Sequence, residues 1–363
     1  MFNLINKIKS KIPASIKGKI RTLKGKIKTL LQLNYRDLIR LIQGKAKLPT
    51  IVKLEACSLC QLDCRYCRMR QRKYGNRGAG YLKFTDFVKF MEMNPFVKEI
   101  ALSNAGEIFL NPDLSKIIQF AHLKGVKLNA WGGVNFNSVS NEALEFLVKY
   151  KFQGFNIALD GASQEAYSWY RRNGNFDKVI DNIKKLNEYK KKYNSEFPFI
   201  NWQYIIFKSN QTESEIKKAK EIAKSLNCRI TFVKDWEGFI PDDEQMIEKE
   251  TGLCYKNAEI RSDWGQKREL FCVELWKTPQ FNYDGRFFGC CANIDADFGL
   301  NVFELGVEKC LDSKIVRKTL GMLMGGAICK ESPCYDCCFY KKFVQEGNFI
   351  TKDEMKNRKG VYS

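Results

Sequence analysis

Four cysteines stand close together in this chain, Cys57-x2-Cys60-x3-Cys64-x2-Cys67, and thiols so spaced are open to four kinds of chemistry. Disulfides are disfavoured. The basic N-terminus lacks the apolar core of a secretory signal, no apolar run of about 18 residues could span a bilayer, and a reducing cytosol keeps thiols free. A zinc site on all four is disfavoured by spacing. Only Gln61, Leu62 and Asp63 separate the two pairs, whereas zinc ribbons place about 15–20 residues between knuckles. A buried structural thiol suits Cys57 alone, directly after an apolar run. The remaining reading is an iron–sulfur cluster on a tight loop, with thiolates as soft ligands. Three ligands, Cys60, Cys64 and Cys67, would leave one iron open to a substrate or cofactor.

Something must hold that loop. Apolar, strand-like runs recur at 51–56, 97–102, 126–131, 154–159, 200–207 and 229–233. Helical stretches lie between them, with start signals at Thr85, Pro112 and Ser140 and further helices at about 175–192 and 211–226. Gly125 and Asn227 are C-terminal stop residues. Strands separated by helices imply parallel pairing with right-handed crossovers. Six units are too few for a closed eight-unit barrel, so the expectation is an α/β fold: a partial (β/α)6 TIM-like barrel. The cysteine loop follows the first strand, at the mouth where such barrels place their active sites.

The motif Cys60-x3-Cys64-x2-Cys67, with Tyr66 before its last cysteine, resembles the signature of radical S-adenosylmethionine (radical SAM) enzymes. "SNAGEIFLNPDL" (103–114) is similar to the family's Gly-Glu motif. "IALDGASQEAYSWYRRNGNFDKVIDNIKKL" (157–186) resembles its fourth strand and helix, and "NWQYIIFKSNQTESEIKKAKEIAKSLN" (201–227) its fifth. The likeness covers about residues 50–235, and it departs at Ala158, where many relatives carry serine, and at Ile108, where a proline often stands. It implies a 4Fe-4S cluster on Cys60, Cys64 and Cys67, its open iron chelated by S-adenosylmethionine, which one electron cleaves to a 5′-deoxyadenosyl radical. It also implies that Tyr66 packs against the adenine, Gly106 and Glu107 meet the methionine amino group, and Asp160 lies near the ribose. Arg171 would grip the methionine carboxylate, since a guanidinium binds both oxygens. Read without the family, Asp160-Gly161 is a turn and Arg171 a surface charge.

Eight further cysteines crowd the last quarter: Cys272, Cys290, Cys291, Cys310, Cys329, Cys334, Cys337 and Cys338. "CVELWKTPQFNYDGRFFGCC" reads as two strands joined at Tyr283-Asp284-Gly285, bringing Cys272 and Cys290 together across a hairpin. "ICKESPCYDCC" adds a C-x2-C pair on a turn, and by chemistry alone zinc fits such a four-thiolate site. The segment resembles the SPASM/twitch extension of radical SAM enzymes, which implies an auxiliary 4Fe-4S cluster on Cys272, Cys290, Cys334 and Cys337. Support for another on Cys310, Cys329 and Cys254 is weak.

The expected organisation is a basic amphipathic arm (1–48), the barrel (49–235), a solvated acidic linker (236–270), the cysteine-rich hairpin/helix domain (271–345) and a tail (346–363). Residues 1–50 hold thirteen Lys and Arg against the single acid Asp37, much of the chain's net charge of +20. With Ile8, Ile12, Ile16, Ile20, Leu23, Ile27 and Leu30 at helical spacing, the arm suits either an anionic membrane surface or a fold-back onto the main domain. Nucleic acid is not expected, because no aromatic-rich recognition motif accompanies the charge.

The resemblance implies an oxidoreductase in the cytoplasm or at the inner face of its membrane, drawing electrons from a donor such as flavodoxin or ferredoxin. The expected substrate is small, carbohydrate or glycolipid-linked. The alternative is a peptide or protein modified as by a peptide maturase or sulfatase-maturing enzyme, and a non-enzymatic electron-transfer protein ranks below both. No residue in the sequence declares itself as a catalytic acid or base.

Overall fold

The apolar runs fold as a sheet because their alternate residues need cover. In the fifth strand Ile200, Trp202, Tyr204 and Ile206 are buried while Asn201 and Gln203 between them are half-buried, the two-residue period of a strand with one face against helices. The computed structural model describes residues 47–71, 75–235, 237–255, 272, 274–347 and 349. Calls on the arm up to residue 46, on residues 256–270 and on residues 350–363 lie outside these. All six expected strands form: β1 Ile51–Leu54, β2 Glu99–Ala101, β3 Lys127–Val134, β4 Gly154–Ala158, β5 Phe199–Ile206 and β6 Arg229–Lys234. They pair in parallel, in sequence order, and the sheet stays open, with β6 at one edge.

Six helices follow the strands: α1 Phe84–Met93, α2 Leu114–Leu123, α3 Asn141–Lys149, α4 Gln164–Tyr170, α5 Phe176–Lys192 and α6 Glu213–Ser225. Ser140 caps α3 by accepting from the Ala143 N–H, and Gly125 and Asn227 take the left-handed backbone expected of stop residues. Two start signals need correction. Thr85 is not a cap; α1 begins at Phe84, whose N–H is taken by the Asp113 carboxylate from the next unit. Pro112 lies in a turn, closed by Asn111 Oδ1 on the Asp113 N–H, and α2 starts at Leu114.

The hairpin adds to the sheet rather than standing apart. β7 Gln280–Phe281 pairs in parallel with the free side of β1, and β8 Phe287–Gly289 runs antiparallel to β7. Gly285 (φ 86°) makes the turn, where a Cβ would meet the Asn301 side chain at 2.3 Å. The first predicted hairpin strand is shorter than expected, because Glu274–Lys277 is a helical turn anchored by a Glu274–Lys53 ion pair at 3.0 Å. Cys272 therefore precedes that turn instead of facing Cys290 across strands. The acidic stretch within 236–270 is also not plain linker: α7 Glu244–Thr251 buries Ile247 and bonds Glu250 to Lys220 of α6. Beyond the hairpin come α8 Val302–Leu311, α9 Lys314–Leu323 and α10 Cys338–Glu346. Among the described residues no helix is long and apolar enough to cross a membrane.

Candidate active site

β1 delivers the cysteine loop, and every neighbouring element clamps it. Ser58 N–H bonds Gly80 O (2.9 Å), the Glu107 N–H bonds Leu59 O (2.8 Å), and the N–H groups of Asp63 and Arg65 bond Arg172 O and Tyr170 O beyond β4 (3.1 and 3.0 Å). Gly106 is where the loop after β2 presses on it. A Cβ there would lie 2.3 Å from Cys57 O and 2.6 Å from Leu59 O, so only glycine permits the approach. Leu62, Cys64, Tyr170, Ile205 and Phe207 form a buried cluster against which Cys60, Tyr66 and Cys67 pack. Tyr66 stands among Trp169, Tyr170 and Phe207, with ring centroids 6.0–6.3 Å away.

The thiols of Cys60, Cys64 and Cys67 sit within electrostatic reach of one another. Burial pushes Cys60 up to about 12, reinforced by Glu107, Cys64 and Cys67. Burial also raises Cys64, against the pull of Arg171. Cys57 is fully buried, pushed up to about 12 mainly by desolvation, and its Sγ lies 3.8 Å from Leu59 O. That is the position of a packing thiol.

Glu107 is buried, its carboxylate accepting from the N–H groups of Phe109 (3.3 Å) and Asn135 (2.5 Å). Desolvation pushes it up to about 7 despite those bonds. Arg171 is neither exposed nor free. Its Nε donates to Asp160 Oδ2 at 2.6 Å, Nη1 lies 3.6 Å from Cys64 Sγ, and the guanidinium stacks 4.5 Å over Tyr170. Burial would lower its pKa, but Asp160 and Cys64 raise it well above the ordinary value. Asp160 has no exposed surface, and its other oxygen accepts from the Ile205 N–H at 2.8 Å. Its carboxylate is thus committed to Arg171 and β5. Asn135 escaped the sequence reading. It joins Glu107 to the loop, its Nδ2 lying 3.6 Å from Cys60 Sγ, and its only signal was its place just past a strand.

A second group of thiols gathers at the hairpin. Burial drives Cys290 well above its ordinary value, with Cys272, Cys291 and Cys334 adding to it. Cys334 is pushed up to about 12 by burial, then by Cys272 and Cys337. Cys272, Cys290 and Cys334 therefore neighbour one another, with Cys337 beside Cys334 and Cys291 beside Cys290. Cys310, Cys329 and Cys254 share no site among the described residues: burial alone shifts Cys310, Cys329 adjoins Glu331 and lies within electrostatic reach of Cys334, and Cys254 is exposed after α7. The loop after β2 touches both groups, since Asn104 Nδ2 donates to Cys291 O (3.3 Å) while Gly106 and Glu107 meet the first loop.

Among the described residues no three His, Cys, Asp or Glu side chains converge on a point that would hold one metal ion. Cluster thiolates each bind a different iron and stand further apart. Three soft donors on one loop, with N–H groups directed at two of them, fit such a cluster.

Residues 55–231 match the radical SAM superfamily model. The chain belongs to the radical SAM superfamily. Membership brings a 4Fe-4S cluster and S-adenosylmethionine as cofactors. Solved structures of SuiB from Streptococcus suis share the fold. The form bound to S-adenosylmethionine is 12% identical, with a TM-score of 0.61 over 93% of this chain and 87% of that one. The form bound to precursor peptide SuiA is 13% identical, with a TM-score of 0.55 over 82% and 78%. Among curated proteins no match is found. The radical SAM match ends at the start of β6, before the second thiol group.

Proposed function

We propose that this chain reductively cleaves S-adenosylmethionine and oxidises a small, hydroxyl-bearing substrate of carbohydrate or glycolipid-linked type, assisted by an auxiliary 4Fe-4S cluster. The observation that carries the reading is the clamped loop: three thiols at the C-terminal mouth of the sheet, flanked by Glu107 and the Arg171–Asp160 pair. When bound, the first cluster supplies the electron that splits S-adenosylmethionine into methionine and a 5′-deoxyadenosyl radical, and the second accepts the electron the substrate gives up.

The chain's residues do the rest. Cys60, Cys64 and Cys67 hold one cluster, and Cys272, Cys290, Cys334 and Cys337 hold the other. Arg171, fixed by Asp160, keeps a positive charge beside Cys64 and offers its remaining N–H groups to a carboxylate. Asp160 acts as the positioning residue for Arg171 rather than as a ribose ligand. Gly106 lets the Gly-Glu loop approach, Glu107 presents a carboxylate toward an amine, and Tyr66 provides an aromatic face. A donor such as flavodoxin or ferredoxin feeds the first cluster from the cytoplasm.

A second reading is peptide modification, favoured by the shared fold with SuiB, which is solved bound to a precursor peptide. Anaerobic turnover with sugars, glycolipids and Cys- or Ser-containing peptides decides between them. The expected result is a product two hydrogens lighter, with deuterium from one substrate carbon appearing in 5′-deoxyadenosine. A redox-neutral product would refute the oxidation, and a peptide product would establish the second reading.

A further inference from the structure

The face of this sheet that carries Ile205 and Val233 is not lined throughout by the branched apolar side chains usual in barrel interiors. A chain of polar groups crosses it instead. Asn129 Nδ2 donates to Glu99 Oε1 at 2.6 Å, and the Trp131 N–H reaches Asn129 Oδ1 at 3.4 Å. Asn156 Nδ2 donates to Trp131 O at 2.6 Å, Asn201 Nδ2 to Asn156 Oδ1 at 2.9 Å, and Thr231 Oγ1 to Asn201 Oδ1 at 2.8 Å. Five neighbouring strands are thus tied by one polar ladder.

The ladder lies below the cysteine loop on the same face. Ile205 and Val233 pack with the cysteines, and side chains two and four residues apart on a strand share a face. Asn201 and Gln203 therefore line up beneath Ile205, and Thr231 beneath Val233. At about 3.3 Å per residue Asn201 is about 13 Å from the Ile205 level, with Gln203 and its register partner Thr231 about halfway.

Gln203 is the unusual member. The ladder amides satisfy one another, as half-buried polar groups should. Gln203 uses only its main chain, and among the described residues its side-chain amide has no partner. Its neighbour across the pair is Ala158, which leaves space beside it. At its own level the facing residues of β4 and β6 are Ala158 and Thr231, and Arg229, on the same face of β6, stands one step lower opposite Asn201. Lys53 and Glu99, toward the other edge, are taken by Glu274 and Asn129. A neutral amide both donates and accepts, which matches hydroxyl groups better than it matches a charge.

We infer that Gln203 is the substrate-reading side chain, beside Thr231 and above an amide floor built by Asn129, Asn156 and Asn201, and that this face takes an uncharged, hydroxyl-rich molecule. The inference rests on the proposed radical chemistry at the cysteine loop and names the substrate class for it. Gln203 is not a ligand of either cluster, and its loss leaves no buried group unpaired.

The test is calorimetry on full-length, iron-loaded protein with S-adenosylmethionine, using myo-inositol and D-glucose as neutral probes, gluconate and glucosamine as charged ones, and a Ser-containing peptide. At least one neutral probe should bind at millimolar concentration, more tightly than its charged counterpart. Gln203→Leu should weaken it about tenfold, the scale of a lost hydrogen-bonding side chain, with unchanged iron content and melting temperature. Gln203→Glu should shift preference toward glucosamine. Failure of every neutral probe to bind iron-loaded protein, equal binding by Gln203→Leu, or Gln203-dependent peptide binding would each overturn the inference. Iron content is read first, so failure of the cluster assignment is seen separately.

Discussion

Arg171 shows how a surface-looking residue becomes part of a site. Its guanidinium meets a carboxylate, a thiol and an aromatic ring at once, and among the described residues Asp160 has no other cation beside it. Removing the cation should leave a buried carboxylate uncompensated. Arg171→Met is expected to cost about 3–5 kcal/mol in chemical unfolding, with partial recovery in the Asp160→Asn double variant. Arg171→Lys should not restore S-adenosylmethionine binding, because an ammonium lacks the planar fork. Glu107 sets a pH dependence. Its folded-state value of about 7 lies above the ordinary 4.5 because of burial, so between those pH values the folded chain binds more protons than the unfolded one. Stability should therefore fall as pH rises from about 4.5 to 7, by about 3 kcal/mol at most. Glu107→Gln should flatten that slope in urea titrations without S-adenosylmethionine.

Between elements, the decisive contact is the loop after β2 against the loop after β1. The contact has no room for a methyl group: a Cβ on Gly106 would sit 2.3–2.6 Å from backbone atoms of residues 57–59, and backbone cannot swing aside as a side chain can. Gly106→Ala should displace the cysteine loop, destabilise the fold by about 1–3 kcal/mol and lower iron retention at Cys60, Cys64 and Cys67. Ala105→Gly, beside it, should do neither, and equal iron content in the two variants would count against the contact. The same loop bonds Cys291 O through Asn104, so its shift should also be felt at the second thiol group.

For the molecule as a whole, two thiol groups lie on one sheet because β7 pairs with β1. The expected content is about eight irons in two cysteine-held clusters. Replacing Cys60, Cys64 and Cys67 by Ala should remove about four and abolish cleavage of S-adenosylmethionine. Replacing Cys334 and Cys337 should remove the others and leave uncoupled cleavage, as read by iron assay and 5′-deoxyadenosine yield. Retention of every iron in the second variant would disprove that ligand set, and stoichiometric zinc would disprove both.

Local patterns were enough to read the strand–helix alternation, the cap at Ser140, the stops at Gly125 and Asn227 and the loop carrying Cys60, Cys64 and Cys67, because capping, burial period and ligand spacing act over a few residues. The sequence also implied the cofactor family through motifs that keep their order along the chain. It misread the start of α1, since the group that takes the Phe84 N–H is Asp113, distant in sequence. It misread the approach of Cys272 as a strand, because the Glu274–Lys53 pair anchors a helical turn there. Only the tertiary structure revealed Asp160 committed to Arg171, Asn135 joining Glu107 to Cys60, the hairpin extending the sheet at β1, and the polar ladder beneath the cysteines. Each depends on side chains from separate strands meeting across one face, and no local pattern records that meeting.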